Sequence, residues 1–362
     1  MKILFVLLVA ISLNWSVKAQ APLQSEHVFL ITLDGLRWQE LFTGADEKLI
    51  RHNIFVENGE ALSDLFWDED FETRRERLMP FFWNTIATEG QLYGNRTLEC
   101  PVNLTNNQWF SYPGYNEILV GYDDPAIDSN AKIPNPNKTV LEYVNDMEEF
   151  RGKVAAFGSW DVFPYIINEE RSGIPVNAGF EPASSALLTE RELFLNDLQE
   201  QIPSPWSTVR LDAFTHHFAL EHIKKTLPRF VYIAYGETDD FAHNGKYDAY
   251  LKSARQTDAF IEELWTFVQK HGFYKDKTTF VITTDHGRGT EPINTWRSHG
   301  TDIKGADEIW IAVLGPDTPV LGEVNGCEQL YQNQVAKTAA RFLGLNYTNA
   351  RDVGEAIETA IR

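Results

Sequence analysis

Three apolar runs in this chain each end in side chains of the kind that bind metals. The first, HVFLITLDG, ends at Asp34. The second, FVYIAYGETDDFAH, leads to Asp239 and His243. The third, FVITTDHG, ends at Asp285 and His286, and His299 follows in TWRSHG. Short runs this apolar read as strands buried on both faces, the environment of a parallel sheet. In open parallel α/β sheets, ligands bind beyond the carboxyl ends of the strands. A single Asp there reads as a turn former or helix cap. Three of them, two with a histidine close by, point instead to a shared hydrolytic site for two metal ions.

The rest of the chain fits that frame. Strands are expected at 27–33, 153–158, 229–235, 278–284 and 309–314. Helices are expected at about 79–89, 138–149, 208–226, 247–271, 331–343 and 352–361. Alternation of this kind predicts an α/β fold with a mostly parallel central sheet and helices on both faces. Leu251, Ala254, Thr257, Ile261 and Leu264 recur at helical spacing, and Gly272 follows them. Residues 36–75 read as an excursion over the site, and 160–206, rich in Pro, Ser and Asn, as a second cap-like insertion. With no linker visible, residues 20–362 read as one catalytic domain with insertions.

Asp239 and His243 are four residues apart, so a helical turn after the strand would point both one way. Asp240 is the alternative to Asp239, with spacing to His243 favouring Asp239. Asp285 and His286 are adjacent and can converge only where strand alternation breaks down. Carboxylate with imidazole suits Zn²⁺; an all-oxygen Mg²⁺ or Ca²⁺ site has no use for three histidines. His52, His216, His217, His222 and His271 lack such company and are unassigned.

The formal net charge of −20 disfavours nucleic-acid partners, which are bound through Lys/Arg patches. Its plainest reading is solubility. Residues 1–19 read as a secretory signal: Lys2, an apolar stretch from Ile3 to Leu13, and Val17-Lys18-Ala19 before the cut. No run is long enough for a stable membrane span, so the expectation is an exported protein, periplasmic or secreted. Export permits a disulfide between Cys100 and Cys327, the two cysteines present. Sequons stand at Asn95, Asn103, Asn137 and Asn346. Nothing in the sequence speaks to oligomeric state.

Taken in order, these residues resemble the alkaline phosphatase superfamily, and within it the nucleotide pyrophosphatase/phosphodiesterase-like branch. The resemblance runs from LDG at 33–35 to RSHG at 297–300. Family members often read T-F-P-N-H-Y-x-x-x-x-G at a nucleophile that opens a helix. This chain reads Ser111-Tyr112-Pro113-Gly114-Tyr115, with Gly121 closing the segment. Family D-x-x-x-H matches Asp239 to His243, D-H-G matches Asp285-His286-Gly287, and the last family His matches His299.

The resemblance implies two Zn²⁺ ions. One would take Asp239, His243 and His299; the other Asp34, Asp285, His286 and the Ser111 oxygen. It implies a small phosphate ester as substrate and a phosphoseryl intermediate on Ser111. It also implies an asparagine that holds the phosphoryl oxygen, for which Asn130 is the candidate and Asn135 the alternative. A zinc-coordinated serine is activated as a nucleophile, whereas the bland role for Ser111 is a helix N-cap.

Competing readings stay within reach of the same residues. Sulfatases carry C/S-x-P-x-R, and Tyr115 stands where their Arg belongs. A phosphomutase shares the metal set, but its intracellular chemistry conflicts with export. A non-catalytic metal-binding relative conflicts with the intact nucleophile and ligands. Phosphodiesterase and phosphatase remain unseparated. Trp38, Phe42, Trp109, Phe110 and Trp160 are candidates for a second-substituent pocket, with core packing as their bland role. Arg37 and Arg288 are candidates for a phosphate clamp, with surface salt bridging as theirs.

Overall fold

The structure, a computed structural model, describes residues 22–362; the signal expected at 1–19 lies outside the described residues. Its centre is an eight-stranded sheet. In chain order the strands are β1 (His27–Leu33), β2 (Gln91–Tyr93), β4 (Val154–Gly158), β5 (Val176–Ala178), β6 (Phe230–Tyr235), β7 (Thr278–Thr283), β9 (Ile311–Leu314) and β10 (Gly322–Glu323). A small second sheet holds β3 (Val102–Asn103), β8 (Glu308–Ile309) and β11 (Leu330–Tyr331). The large sheet runs β10-β2-β9-β7-β1-β6-β4-β5, and within it β9 pairs antiparallel with both β7 and β2. The strands β7, β1, β6, β4 and β5 are parallel throughout.

Both faces of this sheet are covered, which is why its central strands β1, β6 and β7 are buried at every position. Phe29, Ile31 and Leu33 of β1 enter one core with Val231, Ile233 and Ile282. Val28 and Leu30 enter the opposite core with Tyr232, Ala234 and Val281. Side chains alternate across a strand, so one apolar run feeds two cores. On the first face lies the helix Tyr247–Lys270, where Leu251, Ala254, Thr257, Ile261 and Leu264 are all buried. Each buried Leu or Ile there contributes roughly 1.5–3 kcal/mol. On the other face lie the helices Ser111–Val120, Val140–Asp146 and Val335–Phe342.

Several expectations change. The segment 352–361 is not a helix; it holds only a short 3₁₀ turn at Glu358–Ala360. Its backbone is spent on the rest of the fold. Gly354 N donates to Gly121 O at 2.8 Å, and Ile357 N donates to Thr338 Oγ1 at 2.9 Å. Residues 36–75 form short helices whose Leu41, Phe42, Leu49, Leu62 and Phe66 join the core, so much of this stretch is core rather than a flap. The 160–206 stretch supplies β5, the edge strand of the main sheet, so it too is not purely a cap. Cys100 and Cys327 are joined in a disulfide, closing 227 residues of chain beside the small sheet.

Candidate metal centre and active site

The central three strands place the acids. β7, β1 and β6 are neighbours in one parallel register, with Thr32 beside Thr283 and Leu33 beside Tyr235. Their carboxyl ends therefore finish level, and the residues just beyond them share one small volume. Asp34 continues the ladder, its N–H donating to Tyr235 O at 2.9 Å. Asp285 and His286 follow β7 directly. After β6 the chain coils into the helix Glu237–His243, which turns Asp239 and His243 the same way, their Oδ2 and Nε2 3.1 Å apart. The start of that helix is held by Asp212, which accepts from Gly236 N and Glu237 N while Asp212 N donates to Glu237 Oε1.

Around His286 Nε2 the structure brings together Asp34 Oδ1 at 3.4 Å, Asp285 Oδ2 at 3.5 Å and Ser111 Oγ at 3.4 Å. Atoms held at bond lengths of about 2.0–2.1 Å around a tetrahedral ion are about 3.3 Å apart. The second group has similar spacing. His243 Nε2 lies 3.0 Å from His299 Nε2, and His299 Nε2 lies 3.7 Å from Asp239 Oδ1. His286 Nε2 also lies 3.7 Å from Asp239 Oδ1, so the two groups adjoin.

The donor set fits cations. Asp34 Oδ1 and Asp285 Oδ2 are buried carboxylate oxygens with no hydrogen-bond partner. His286 Nδ1 lies 2.9 Å from Gly287 O, and a carbonyl only accepts, so the proton sits on Nδ1. The Nε2 lone pair is thereby turned into the site. Three carboxylates stand against the single guanidinium of Arg288, which bonds Asp239. Burial, with the charge of Asp239 next, pushes the Asp34 carboxyl well up. Burial and Asp34 do the same to Asp285. Burial would also raise Asp239, but Arg288 and His243 outweigh it and hold Asp239 well below the ordinary range. Burial, then His286, pushes His299 down to about 2, leaving it neutral. Divalent cations resolve this excess of buried negative charge.

Ser111 opens its helix but does not cap it. The N-cap is Phe110, with no side-chain cap bond, and the Ser111 hydroxyl faces His286 instead. The bland role therefore does not describe its geometry. The turn before it is fixed by buried Glu117, which accepts from the backbone N–H of Thr105 and Asn106 at 2.9 Å each. Asn106 Oδ1 then accepts from Trp109 N at 3.0 Å, and Trp109 sits at φ 53. Tyr115, one turn on, donates from its hydroxyl to Asp34 Oδ2 at 2.8 Å.

Of the two candidate asparagines, Asn130 reaches the nucleophile helix, its Oδ1 accepting from Tyr112 N at 3.0 Å. Asn135 is buried and bonded to Asn116 and Asn137 N, away from that role. Asp240 lies beside Asp239, and burial, with the Asp239 charge, pushes it up to about 8.

Other assignments are corrected. Arg37 and Arg288 are buried, not surface residues. Arg37 is spent on Glu40 and on Gly289 O, and Glu40 also accepts from Tyr247. Phe42 is core, edge-on to Trp83, while Trp109 and Trp160 are only partly buried. His216 and His217 lie near Glu263. His216 is already bonded to Tyr235 OH and Glu263 at 3.0 Å each, and Arg191 lies against His217 Nδ1. A cavity of about 510 Å³ lies elsewhere, lined by Phe157, Asn177, Phe218 and His222, and no member of the Asp/His set borders it.

Two roles were not foreseen from the sequence: Tyr115 as a donor to Asp34, and Arg288 as a partner of Asp239. The DHGR run alone carried a signal for the second.

Comparison with known proteins agrees with this geometry. Residues 200–347 match the model of the metalloenzyme superfamily. Among solved structures, the wild-type alkaline phosphatase PafA superposes with a TM-score of 0.60 at 11% identity, over 95% of this chain and 100% of that one. The phosphonate monoester hydrolase of Agrobacterium radiobacter gives 0.57 at 12%, over 93% and 77%. The phosphonate monoester hydrolase SpPMH of Silicibacter pomeroyi gives 0.55 at 14%, over 92% and 76%. No curated protein matches the chain by sequence. The fold is therefore alkaline phosphatase-like, and the metalloenzyme match runs through the segment that holds Asp239, His243, Asp285, His286 and His299.

Proposed function

We propose that this chain is an exported di-zinc hydrolase of phosphoric esters, a phosphodiesterase or phosphatase, working through a phosphoseryl intermediate on Ser111. The observation that carries the reading is the Ser111 hydroxyl, 3.4 Å from His286 Nε2, which itself stands 3.4 Å from Asp34 Oδ1 and 3.5 Å from Asp285 Oδ2, buried oxygens with no hydrogen-bond partner. Asp34, Asp285, His286 and Ser111 would hold one zinc; Asp239, His243 and His299 the other. When bound, the ions supply the charge that lowers the serine pKa and offsets charge on the transferring group and leaving oxygen.

The chain's own residues do the rest. The Ser111 oxygen attacks phosphorus in line as the bond from phosphorus to the leaving oxygen breaks, and the departing alcohol takes up a proton. Water then attacks the phosphoseryl ester, the Ser111 Oγ–P bond breaks, and phosphate leaves with the serine hydroxyl restored. Asn130, fixed by Tyr112 N, is available to hold a phosphoryl oxygen through its amide. The phosphonate monoester hydrolases and the alkaline phosphatase among the structural neighbours support ester hydrolysis of this kind. Tyr115 weighs against a sulfatase: where that family has Arg, its hydroxyl is committed to Asp34. Within the superfamily, the motifs favour the nucleotide pyrophosphatase/phosphodiesterase-like branch. The Cys100–Cys327 disulfide supports export, since such bonds persist in oxidising compartments.

The test is a parallel assay of p-nitrophenyl phosphate, bis-p-nitrophenyl phosphate and p-nitrophenyl sulfate with zinc supplied, on the natural chain and on Ser111→Ala. Phosphate esters are expected to lead, and Ser111→Ala to lose turnover while keeping both metals. A sulfate ester as best substrate, or an active Ser111→Ala, overturns the reading.

A further inference from the structure

We infer that Arg288 is a positioning residue for the second metal site, tying the helix that carries Asp239 and His243 to the loop that carries His299. The inference rests on the proposed assignment of those three residues to one ion.

Arg288 follows Asp285-His286-Gly287 and is 1% exposed. Its guanidinium is divided among three acceptors. NH1 bonds Asp239 Oδ1, Nε donates to Trp296 O at 2.8 Å, and NH2 donates to Arg297 O at 2.6 Å. The two carbonyls belong to the turn just before His299. One planar group therefore sets the position of Asp239 relative to His299, although sixty residues of chain separate them. A guanidinium presents its donors in a fixed fork, so these acceptors are held at set directions.

The bond also fixes the plane of the Asp239 carboxylate. Oδ1, bonded by Arg288, lies 3.7 Å from His299 Nε2, while Oδ2 faces His243 Nε2 at 3.1 Å. Arg288 thereby holds the carboxylate with one oxygen toward each of the two imidazoles. A second tie runs parallel, since Arg297 donates to His243 O at 2.9 Å. The Asp34, Asp285 and His286 group has no bond to Arg288 and is fixed separately, through Tyr115, Gly35 N and Gln332.

Removing a residue that orients a metal ligand typically weakens the ion about 10- to 100-fold. The experiment is Zn²⁺ uptake by the metal-depleted full chain, in competition with a chromophoric chelator. It compares the natural chain, Arg288→Met, Arg288→Lys and His243→Ala. The natural chain is expected to take two equivalents and His243→Ala one. Arg288→Met and Arg288→Lys are each expected to keep one site unchanged and bind at the other about 10- to 100-fold more weakly. The lysine variant keeps the buried charge beside Asp239 but cannot also span the two carbonyls, so it carries the test if Arg288→Met fails to fold. Unchanged or tighter binding in these variants overturns the role, as does equal weakening at both sites. If His243→Ala still takes two equivalents, the ligand assignment fails first and this inference falls with it.

Discussion

Gly114 is the position where a single methyl group should separate activity from stability. It is the fourth residue of the helix opened by Ser111, and it lies against the backbone of Asp285. A Cβ built there would stand 2.3 Å from Asp285 O, where ordinary contact begins at 3.4 Å. In Gly114→Ala the helix must therefore retreat by roughly 0.7–1.1 Å. The retreat carries Ser111 away from His286 Nε2, now 3.4 Å from its hydroxyl.

A displacement near 1 Å costs about 100-fold in rate, or about 2.7 kcal/mol of transition-state stabilisation. Stability should move less. Overpacking costs about 1–3 kcal/mol, and alanine returns about 1 kcal/mol of helix propensity. The assay is kcat/KM for an aryl phosphate with zinc supplied, alongside urea unfolding and metal content. A folded Gly114→Ala protein whose kcat/KM stays within about threefold of the natural chain refutes the reasoning.

The Cys100–Cys327 bridge closes 227 residues, so in the chain-entropy view reduction should cost about 5 kcal/mol. Guanidinium unfolding with and without reductant measures this, and equal midpoints count against it. His27 should make the fold acid-sensitive: burial pushes its imidazole down to about 4, with Phe273 O accepting at Nε2. Its folded pKa lies below the unfolded value, so the neutral ring's contribution is complete above pH 6.5 and lost as pH falls toward 4. The loss should reach about 3 kcal/mol. Unfolding of the natural chain and His27→Gln at pH 7 and pH 4.5 checks it; the same loss in both would remove His27 as the cause.

Much of the frame was legible because both cores draw on the same strands. The runs at 27–33, 229–235 and 278–284 are mostly apolar for that reason, and acids placed after them stand out. Local pattern served less well at 352–361, where helical spacing is overridden by bonds to Gly121 and Thr338. The buried faces of 36–75 were hidden because short helices carry too few turns to show a period. At Arg37 and Arg288 the charge itself misled: arginine is usually exposed, and only neighbours distant in sequence supply the acceptors that let these two be buried.

By itself the sequence determined the fold class, the parallel central strands and which residue types stand at their ends, because burial on two faces writes itself into composition along the chain. Only the tertiary structure decided which of those residues meet. The level ends of β7, β1 and β6 bring Asp34, Asp239 and Asp285 together. The close approach allowed by Gly114 sets Ser111 against His286, the 130s loop puts Asn130 rather than Asn135 beside Tyr112, and Arg288 joins Asp239 to the turn before His299. These are distances between residues far apart in the chain, fixed by register and packing, and no local pattern records them.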